Sequence, residues 1–481
     1  MIRLATFSCL VLWSLAFGLA TPSQVWADPS TALDDFIHAP DPSFAWTDVS
    51  STSGPGYTAD VLDMTSQTWL TAADVDRPEW HNYVTIIKPA NVTSNRALLW
   101  IDGGSNGGSP PGVDPNLLAL AQSTGSIVVD VGEVPNEPLT FTGQQPRTED
   151  GIIAYTWQQY LTTGNEQWPA QLPMTLAAVR AMDAAQAFES SPAGGWNIND
   201  FVVSGGSKRG WTTWLTAAVD PRVAAIIPAV ADTLNVQKAF EHAYNAYGYW
   251  PPAIQDYVSA GIPNWFGTPQ MANLMQIVDP YSYVDRFTMP KFIVNSTGDQ
   301  FFAPDSSQFY FGALPGTKYL RYVPNTDHSL DNSDAGQSIQ AFYDAILHNK
   351  PLPQFSWSVD AGGTLHVHSL TMPLEVKLWQ ATDLNARDFR LETIGAAYTS
   401  VTLTDLGNGN YTAVVPHPAQ GWTAYFVELT FASGGLYPYK FTTDVQVIGV
   451  PEPGSCALLA VGALCLAAVA RRKGWPGRQR A

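Results

Sequence analysis

The sequence predicts an α/β fold: a mostly parallel sheet covered by helices on both faces, with an inserted helical cap and a C-terminal β-sandwich. Three observations lead there. Short apolar runs recur at 83–88, 97–101, 127–131, 201–204, 224–227, 291–295 and 319–322, separated by amphipathic stretches such as 172–188. That alternation is the pattern of βα units whose strands are buried on both faces. One of these strands stops at a serine among glycines, with a helix-like segment directly behind it. Beyond Pro351-Leu352-Pro353 the pattern changes to period-two alternation broken by turn residues, as antiparallel strands require.

The serine is Ser207, in Phe201-Val202-Val203-Ser204-Gly205-Gly206-Ser207-Lys208-Arg209-Gly210-Trp211. A strand that turns sharply into a helix exposes one side chain above the C-terminal edge of the sheet. Small residues must flank it, because strand and helix pass close together. Gly205 and Gly206 meet that demand upstream. Downstream, the G-x-S-x-G spacing puts glycine at the position of Arg209, whereas here it comes one residue later, at Gly210. This is how an α/β-hydrolase presents its nucleophile, with the acid and then the histidine following in chain order.

Both later places are occupied. The strand 291–295 breaks into Ser296-Thr297-Gly298-Asp299-Gln300-Phe301-Phe302-Ala303-Pro304-Asp305, a loop carrying two acids. Asp299, nearest the strand end, is the preferred acid; Asp305, and Asp232 after the strand 224–227, are alternatives. The strand at 319–322 leads into Pro324-Asn325-Thr326-Asp327-His328, ahead of a helical pattern from Ala335. Of the eight histidines, His328 has the loop position of a general base. Serine is a weak nucleophile until a base takes its proton, and the acid orients the imidazole and stabilises the imidazolium.

An oxyanion hole needs the N–H of the residue after the nucleophile, here Lys208, and a second N–H from the glycine-rich loop after strand 97–101. Gly103 and Gly104 in Asp102-Gly103-Gly104-Ser105-Asn106-Gly107-Gly108 are the candidates. Arg209 is too bulky for a small-residue role, so it either pairs inside the fold or reaches the site. Glu149-Asp150 supply acids to hold it, and the structural role is preferred.

Residues 1–27 read as a signal peptide: Arg3, an apolar run from Leu4 to Ala20, and a small-residue cleavage site ending at Ala27. At the other end, Val450-Pro451-Glu452-Pro453 opens an apolar run closed by Arg471-Arg472-Lys473, adequate as a terminal anchor. Taking 28–449 as the exported domain removes six of the 24 basic residues and one of the 42 acids, leaving 18 against 41 and a net charge of −23. Such a charge repels phosphate, so nucleic acid and anionic membrane are not expected partners. All three cysteines, Cys9, Cys456 and Cys465, fall in the two hydrophobic segments. That excludes disulfides, a thiol metal site and cysteine catalysis in the domain between them.

The expected organisation is a hydrolase-like domain over 34–350, with a cap inserted at about 234–290, and a β-sandwich over 354–448. The cap region crowds Tyr244, Tyr247, Tyr249, Trp250, Tyr257, Trp265 and Phe266 together, and packing of these rings onto the core is preferred over a ligand-binding lid. His366 and His368 share a strand face without a third ligand, so they are read as solvent-facing and no metal or other cofactor is expected.

Val134-Pro135-Asn136-Glu137-Pro138-Leu139, the block from Glu149 to Trp157, Gly206-Ser207-Lys208-Arg209-Gly210-Trp211-Thr212-Thr213-Trp214 and the run from Thr297 to Leu330 resemble the PhoPQ-activated pathogenicity-related protein family. The resemblance implies an α/β-hydrolase-like fold with the family's serine, aspartate and histidine at Ser207, Asp299 and His328. The segment 450–473 resembles a PEP-CTERM sorting signal. That implies a Gram-negative bacterium, transient membrane anchoring, processing by an exosortase-type enzyme and a link to exopolysaccharide. The functional expectation is an exported serine hydrolase of esterase or peptidase type, acting through an acyl-enzyme on a small ester or peptide. The alternative is a catalytically silent extracellular protein that binds polysaccharide or protein on a hydrolase scaffold.

Overall fold

The computed structural model describes residues 31–450; the signal-peptide and sorting-signal assignments, apart from Val450, lie outside the described residues. One continuous 14-stranded sheet runs through the molecule. Its first edge is an antiparallel meander of β1 (Ala45–Gly54), β2 (Tyr57–Thr68) and β3 (Glu79–Pro89). The centre is β4 (Arg96–Ile101), β5 (Val128–Val131), β6 (Asp200–Gly206), β7 (Val223–Ala229), β8 (Lys291–Ser296) and β9 (Lys318–Val323), parallel to one another in the order β5-β4-β6-β7-β8-β9. β3 closes the parallel block antiparallel to β5.

Successive residues of a strand point to opposite faces, and in the central strands both faces are apolar. Phe201 and Val203 of β6 enter one core while Val202 enters the other; Leu99 and Leu98 of β4 divide the same way. Helices therefore cover both sides. Helix Lys208–Val219 presents Trp211, Trp214 and Leu215 to the first core, with Trp214 edge-on to Phe287 at 4.8 Å. Helix Ala335–Leu347 covers the second with Ile339, Phe342, Tyr343 and Ile346 at helical spacing.

The cap lies between β7 and β8. It consists of helices Val236–Tyr247, Gln255–Ser259 and Pro269–Val278 joined by 3-10 turns. Tyr257 stands 5.5 Å from both Phe240 and Trp157, and Trp250 6.1 Å from Phe266, so these rings pin the cap to itself and to helix Glu149–Thr163. Tyr244 and Tyr249 remain exposed.

The C-terminal strands are β10 (Phe355–Val359), β11 (Leu365–Ser369), β12 (Glu375–Asp383), β13 (Thr399–Thr402), β14 (Asn410–Ala413), β15 (Trp422–Phe431), β16 (Tyr439–Thr442) and β17 (Gln446–Gly449). They form two facing leaves. β10-β11-β14 is a separate three-stranded sheet, and its Leu365, Val367 and Tyr411 share a core with Val427, Leu429 and Phe441 of the other leaf. That other leaf extends the central sheet, because β16 pairs with β9 through Thr442 and Leu320. The parallel sheet thus has no bare edge at β9, which is how an edge liable to aberrant pairing is protected. Arg321 of β9 is fully buried at this seam between Glu428 and Asp334, the latter at 2.8 Å, and Lys440 also reaches Asp334 at 2.6 Å. Removing one partner of a buried pair strands the other charge, so the seam behaves as one unit with the hydrolase core. His366 and His368 lie on the exposed face of β11. Among the described residues no helix is long and apolar enough to cross a membrane.

Asp232 and Asp279 are buried in this framework, and Asp130 of β5 is partly buried. Burial, reinforced by neighbouring carboxylates, pushes Asp130 up to about 8 and Asp232 to about 7, and burial alone raises Asp279 to about 6 against three backbone N–H bonds. A carboxyl whose folded-state value is raised contributes stability that is full below its unfolded value near 4 and is lost as pH rises through the folded one. Thermal melts should therefore give a Tm several degrees higher at pH 5.5 than at pH 8.5. A Tm that is flat or rising across that window contradicts the burial of these groups.

Candidate active site

Ser207 joins β6 to helix Lys208–Val219 with φ 60° and ψ −126°, a conformation that L-residues rarely adopt. The turn is held by close contact on both sides. A Cβ on Gly205 would lie 2.8 Å from the Arg209 carbonyl oxygen, and one on Gly210 would lie 2.7 Å from the Ala231 Cβ and 2.8 Å from the Ala229 oxygen. Gly206 has nothing within 4 Å of that position. The glycines the elbow requires are therefore two before and three after the serine. This explains why Arg209 is tolerated where the G-x-S-x-G spacing expects glycine.

The loops after β8 and β9 bring Asp299 and His328 to Ser207. His328 Nε2 is 2.8 Å from Ser207 Oγ, and Nδ1 is 2.8 Å from Asp299 Oδ2 and 3.0 Å from Oδ1. With Nδ1–H donating to the carboxylate, Nε2 is the nitrogen free to accept the serine proton. Asp299 is buried and also accepts from the Phe301 N–H at 2.8 Å; the His328 N–H donates to Gln300 Oε1 at 3.0 Å. Gly298 lets the two loops meet, since a Cβ there would lie 2.6 Å from the Thr326 oxygen and 2.7 Å from the Leu391 nitrogen. The alternative acids go elsewhere. Asp305 binds His242 of the cap at 2.9 Å and also Arg387, while Asp232 accepts from the Tyr322 hydroxyl at 2.8 Å.

The Lys208 N–H is in the first turn of its helix, where amides lack intrahelical partners and the dipole is positive. On the glycine-rich loop the expectation for Gly103 changes: its N–H donates to Asp102 Oδ1 at 2.7 Å. Gly103 matters through its missing side chain, since a Cβ would lie 2.6 Å from Arg209 Nη2. Gly104, at φ 131°, passes close to the Glu133 backbone.

Arg209 pairs inside the fold. Its two Nη atoms each lie 2.9 Å from a Glu149 carboxylate oxygen, and its Nε donates to the Val134 carbonyl at 2.5 Å. Lys208 Nζ reaches Glu149 at 2.6 Å and Asp150 at 3.3 Å, and Asp150 accepts from the Tyr257 hydroxyl at 3.0 Å. Burial opposes ionisation of Glu149, yet Arg209 and Lys208 hold it down at about 2. Glu137 behind it is pushed up to about 7 by burial and by the Glu149 charge. Asp150 therefore serves Lys208 and Tyr257 rather than Arg209.

Beside Ser207 is a cavity of about 20 Å3 lined chiefly by Trp211, Phe240, Ile254, Tyr257, Phe301 and Phe302, with Lys208 and Asp150 at its polar side. Phe301 also stacks near the His328 ring, with centroids 4.4 Å apart. Of these six, the sequence singles out Tyr257 alone, as cap packing, and carries no role for the other five. The one available signal was the Phe301-Phe302 pair, which begins two residues after Asp299.

The family described as PhoPQ-activated pathogenicity-related protein matches residues 33–390. The chain belongs to this family. Autocrine proliferation repressor protein A of Dictyostelium discoideum is 37% identical over 460 residues, covering 89% of this chain and 92% of that protein. Acetyl esterase Axe7A of Xylanibacter ruminicola is 26% identical over 156 residues, covering 32% of this chain and 31% of the esterase. Among solved structures, acetyl xylan esterase 1 from a Thermoanaerobacterium species aligns with 66% of this chain and 91% of its own at 16% identity and a TM-score of 0.47. This PhoPQ-related chain thus has an α/β-hydrolase fold, established by its own parallel sheet and elbow.

The elbow contacts give a paired outcome. Gly210→Ala should destabilise by about 1–3 kcal/mol through overpacking, while Gly206→Ala should stay within about 0.5 kcal/mol. Urea unfolding of the two variants measures this, and equal effects would contradict the described approach of strand and helix.

Proposed function

We propose that this protein is a serine esterase that cleaves esters of small acyl groups through an acyl-enzyme on Ser207. The carrying observation is the continuous hydrogen-bonded series Ser207–His328–Asp299, with each link at 2.8 Å. In this reading the serine oxygen attacks the ester carbonyl as His328 Nε2 takes its proton. The negative charge on the carbonyl oxygen is met by the Lys208 N–H and by Gly104 on the facing loop. His328 returns the proton to the leaving alcohol. Water then attacks the acyl-Ser207, again through His328, and releases the acid and the free serine.

The small acyl group follows from the cavity. About 20 Å3, partly open and lined mostly by aromatic rings, has room for roughly one water-sized group, which suits the methyl of an acetyl ester. The acetyl esterase similarity over 156 residues agrees with this choice. We further propose that the enzyme acts outside the cytoplasm, on the apolar run from Leu4 to Ala20. The apolar run after Pro453 would be a transient anchor removed by an exosortase-type enzyme, and acylated exopolysaccharide would be a natural substrate there.

Turnover of aryl esters of graded chain length tests the reading. Acetyl esters should exceed butyryl esters by about 10- to 100-fold in kcat/KM, the range for excess methylenes in a tight pocket. Ser207→Ala should lower kcat by about 1000-fold or more. Retained turnover in Ser207→Ala would remove the mechanism, and equal rates on both esters would remove the acyl-size assignment alone.

A further inference from the structure

A second, larger cavity lies along the glycine-rich loop and has no part in the reaction as given. Its volume is about 200 Å3, and Asp63, Arg77, Glu79, Tyr83 and Glu133 line it together with loop residues 106–108. Its place in the sheet is on the catalytic side. β3 pairs with β5 through Val84 and Val131, so Tyr83 falls at the C-terminal edge of the parallel strands, the edge at which Ser207 ends β6. Ligands of such sheets bind outside that edge. In the order β3-β5-β4-β6 the cavity stands two to three strand spacings from the nucleophile, about 10–15 Å at roughly 4.8 Å each.

The loop is common to both places. The Glu133 N–H donates to the Gly103 carbonyl at 2.8 Å, Gly104 passes beside Glu133, and the same loop then continues into the cavity wall. Glu133 is held at φ 55°, a conformation uncommon for glutamate that persists where the surroundings fix it. Its Oε2 accepts from the Tyr83 N–H at 2.9 Å. Arg77, among the described residues, makes no ion pair or hydrogen bond, although three carboxyl groups line the same cavity. The chemistry of the lining is therefore mixed. Arg77 offers only donors, while Asp63 and Glu79 offer acceptors; a sugar hydroxyl both donates and accepts, and Tyr83 supplies an aromatic wall for the apolar face of a ring. An anionic ligand would meet three carboxyls against one guanidinium in a strongly acidic domain. A metal cation would meet the guanidinium.

We propose that this cavity is the leaving-group subsite, which binds a neutral sugar residue of an acetylated polysaccharide whose ester is placed at Ser207 further along the same chain. It rests on the serine-esterase reading given above and deepens it. The alcohol released from the acyl-enzyme stays joined to the sugar held in the cavity, so binding there positions the ester for attack. A small aryl ester does not reach the cavity and gains nothing from it.

Two readouts test this, and the first does not need turnover. Calorimetric titration of Ser207→Ala with xylohexaose, cellohexaose and mannohexaose should show binding of at least one of them. Arg77→Ala or Glu79→Ala, added to that variant, should weaken the binding by about 10-fold, as loss of a hydrogen bond to a charged group does. Both side chains are exposed, so neither substitution opens the core. The second readout keeps Ser207. On the acetylated form of the bound oligosaccharide, Arg77→Ala and Glu79→Ala should lower kcat/KM by a similar factor, through KM, while hydrolysis of phenyl acetate stays unchanged. Failure of all three sugars to bind, binding that neither substitution weakens, tighter binding of tetralysine than of any sugar, or equal losses on both esters overturns the proposal. Sugar binding that follows the substitutions in a wild-type protein without ester turnover overturns the serine-esterase reading and the leaving-group role with it, and leaves the cavity as a sugar site.

Discussion

The close approach of β6 and helix Lys208–Val219 is the constraint on which the rest of the site depends. It forces Ser207 to positive φ, it leaves no room for side chains at Gly205 and Gly210, and it directs the serine hydroxyl to where His328 waits. A strained turn of this kind persists only if its surroundings over-determine it. Here they do so from two sides. The Ser207 N–H is bonded to the Ala229 oxygen of β7 at 2.9 Å, and Arg209 ties the start of the helix to Glu149 and Val134. The arginine that breaks the usual glycine spacing is thereby part of what holds the elbow, packed over the gap that Gly103 leaves.

The second support comes from the C-terminal region, which is more than an appended module. Leu391 donates to the Gly298 carbonyl in the acid loop, Tyr398 exchanges backbone hydrogen bonds with the Asn325 side chain in the histidine loop, and Arg387 meets Asp305. Since β16 also extends the central sheet at β9, the two loops that carry Asp299 and His328 are clamped between the hydrolase core and the sandwich. The match of the family to residues 33–390 takes in Arg387 and stops just before Leu391 and Tyr398.

Much of this was legible in the sequence, because the buried central strands are written as mostly apolar runs. All seven runs expected in the hydrolase domain coincide with β3 to β9, and Ser207, Asp299 and His328 follow the ends of β6, β8 and β9. β1 and β2 were missed. β1 is a largely exposed edge rich in serine and threonine, and it shows no apolar alternation to read. The joining of β16 to β9 was also invisible, since one pairing between strands separated by more than a hundred residues leaves no local signal. The acid was open among Asp299, Asp305 and Asp232 because all three follow strands. Only their partners separate them, and those partners, Tyr322, His242 and Arg387, are distant in the chain. Gly103 was expected to offer its amide, whereas the preceding Asp102 takes that amide and its lack of a side chain accommodates Arg209.

The central claim is that Ser207 is a nucleophile activated by His328. It is tested most directly by treating the full-length protein with a fluorophosphonate and locating the adduct by peptide mass spectrometry. The account predicts a single adduct on the peptide that carries Ser207, formed in wild type and strongly slowed in His328→Ala, which leaves the serine in place without its base. An adduct on any other residue, or none at all while ester turnover proceeds, would contradict it.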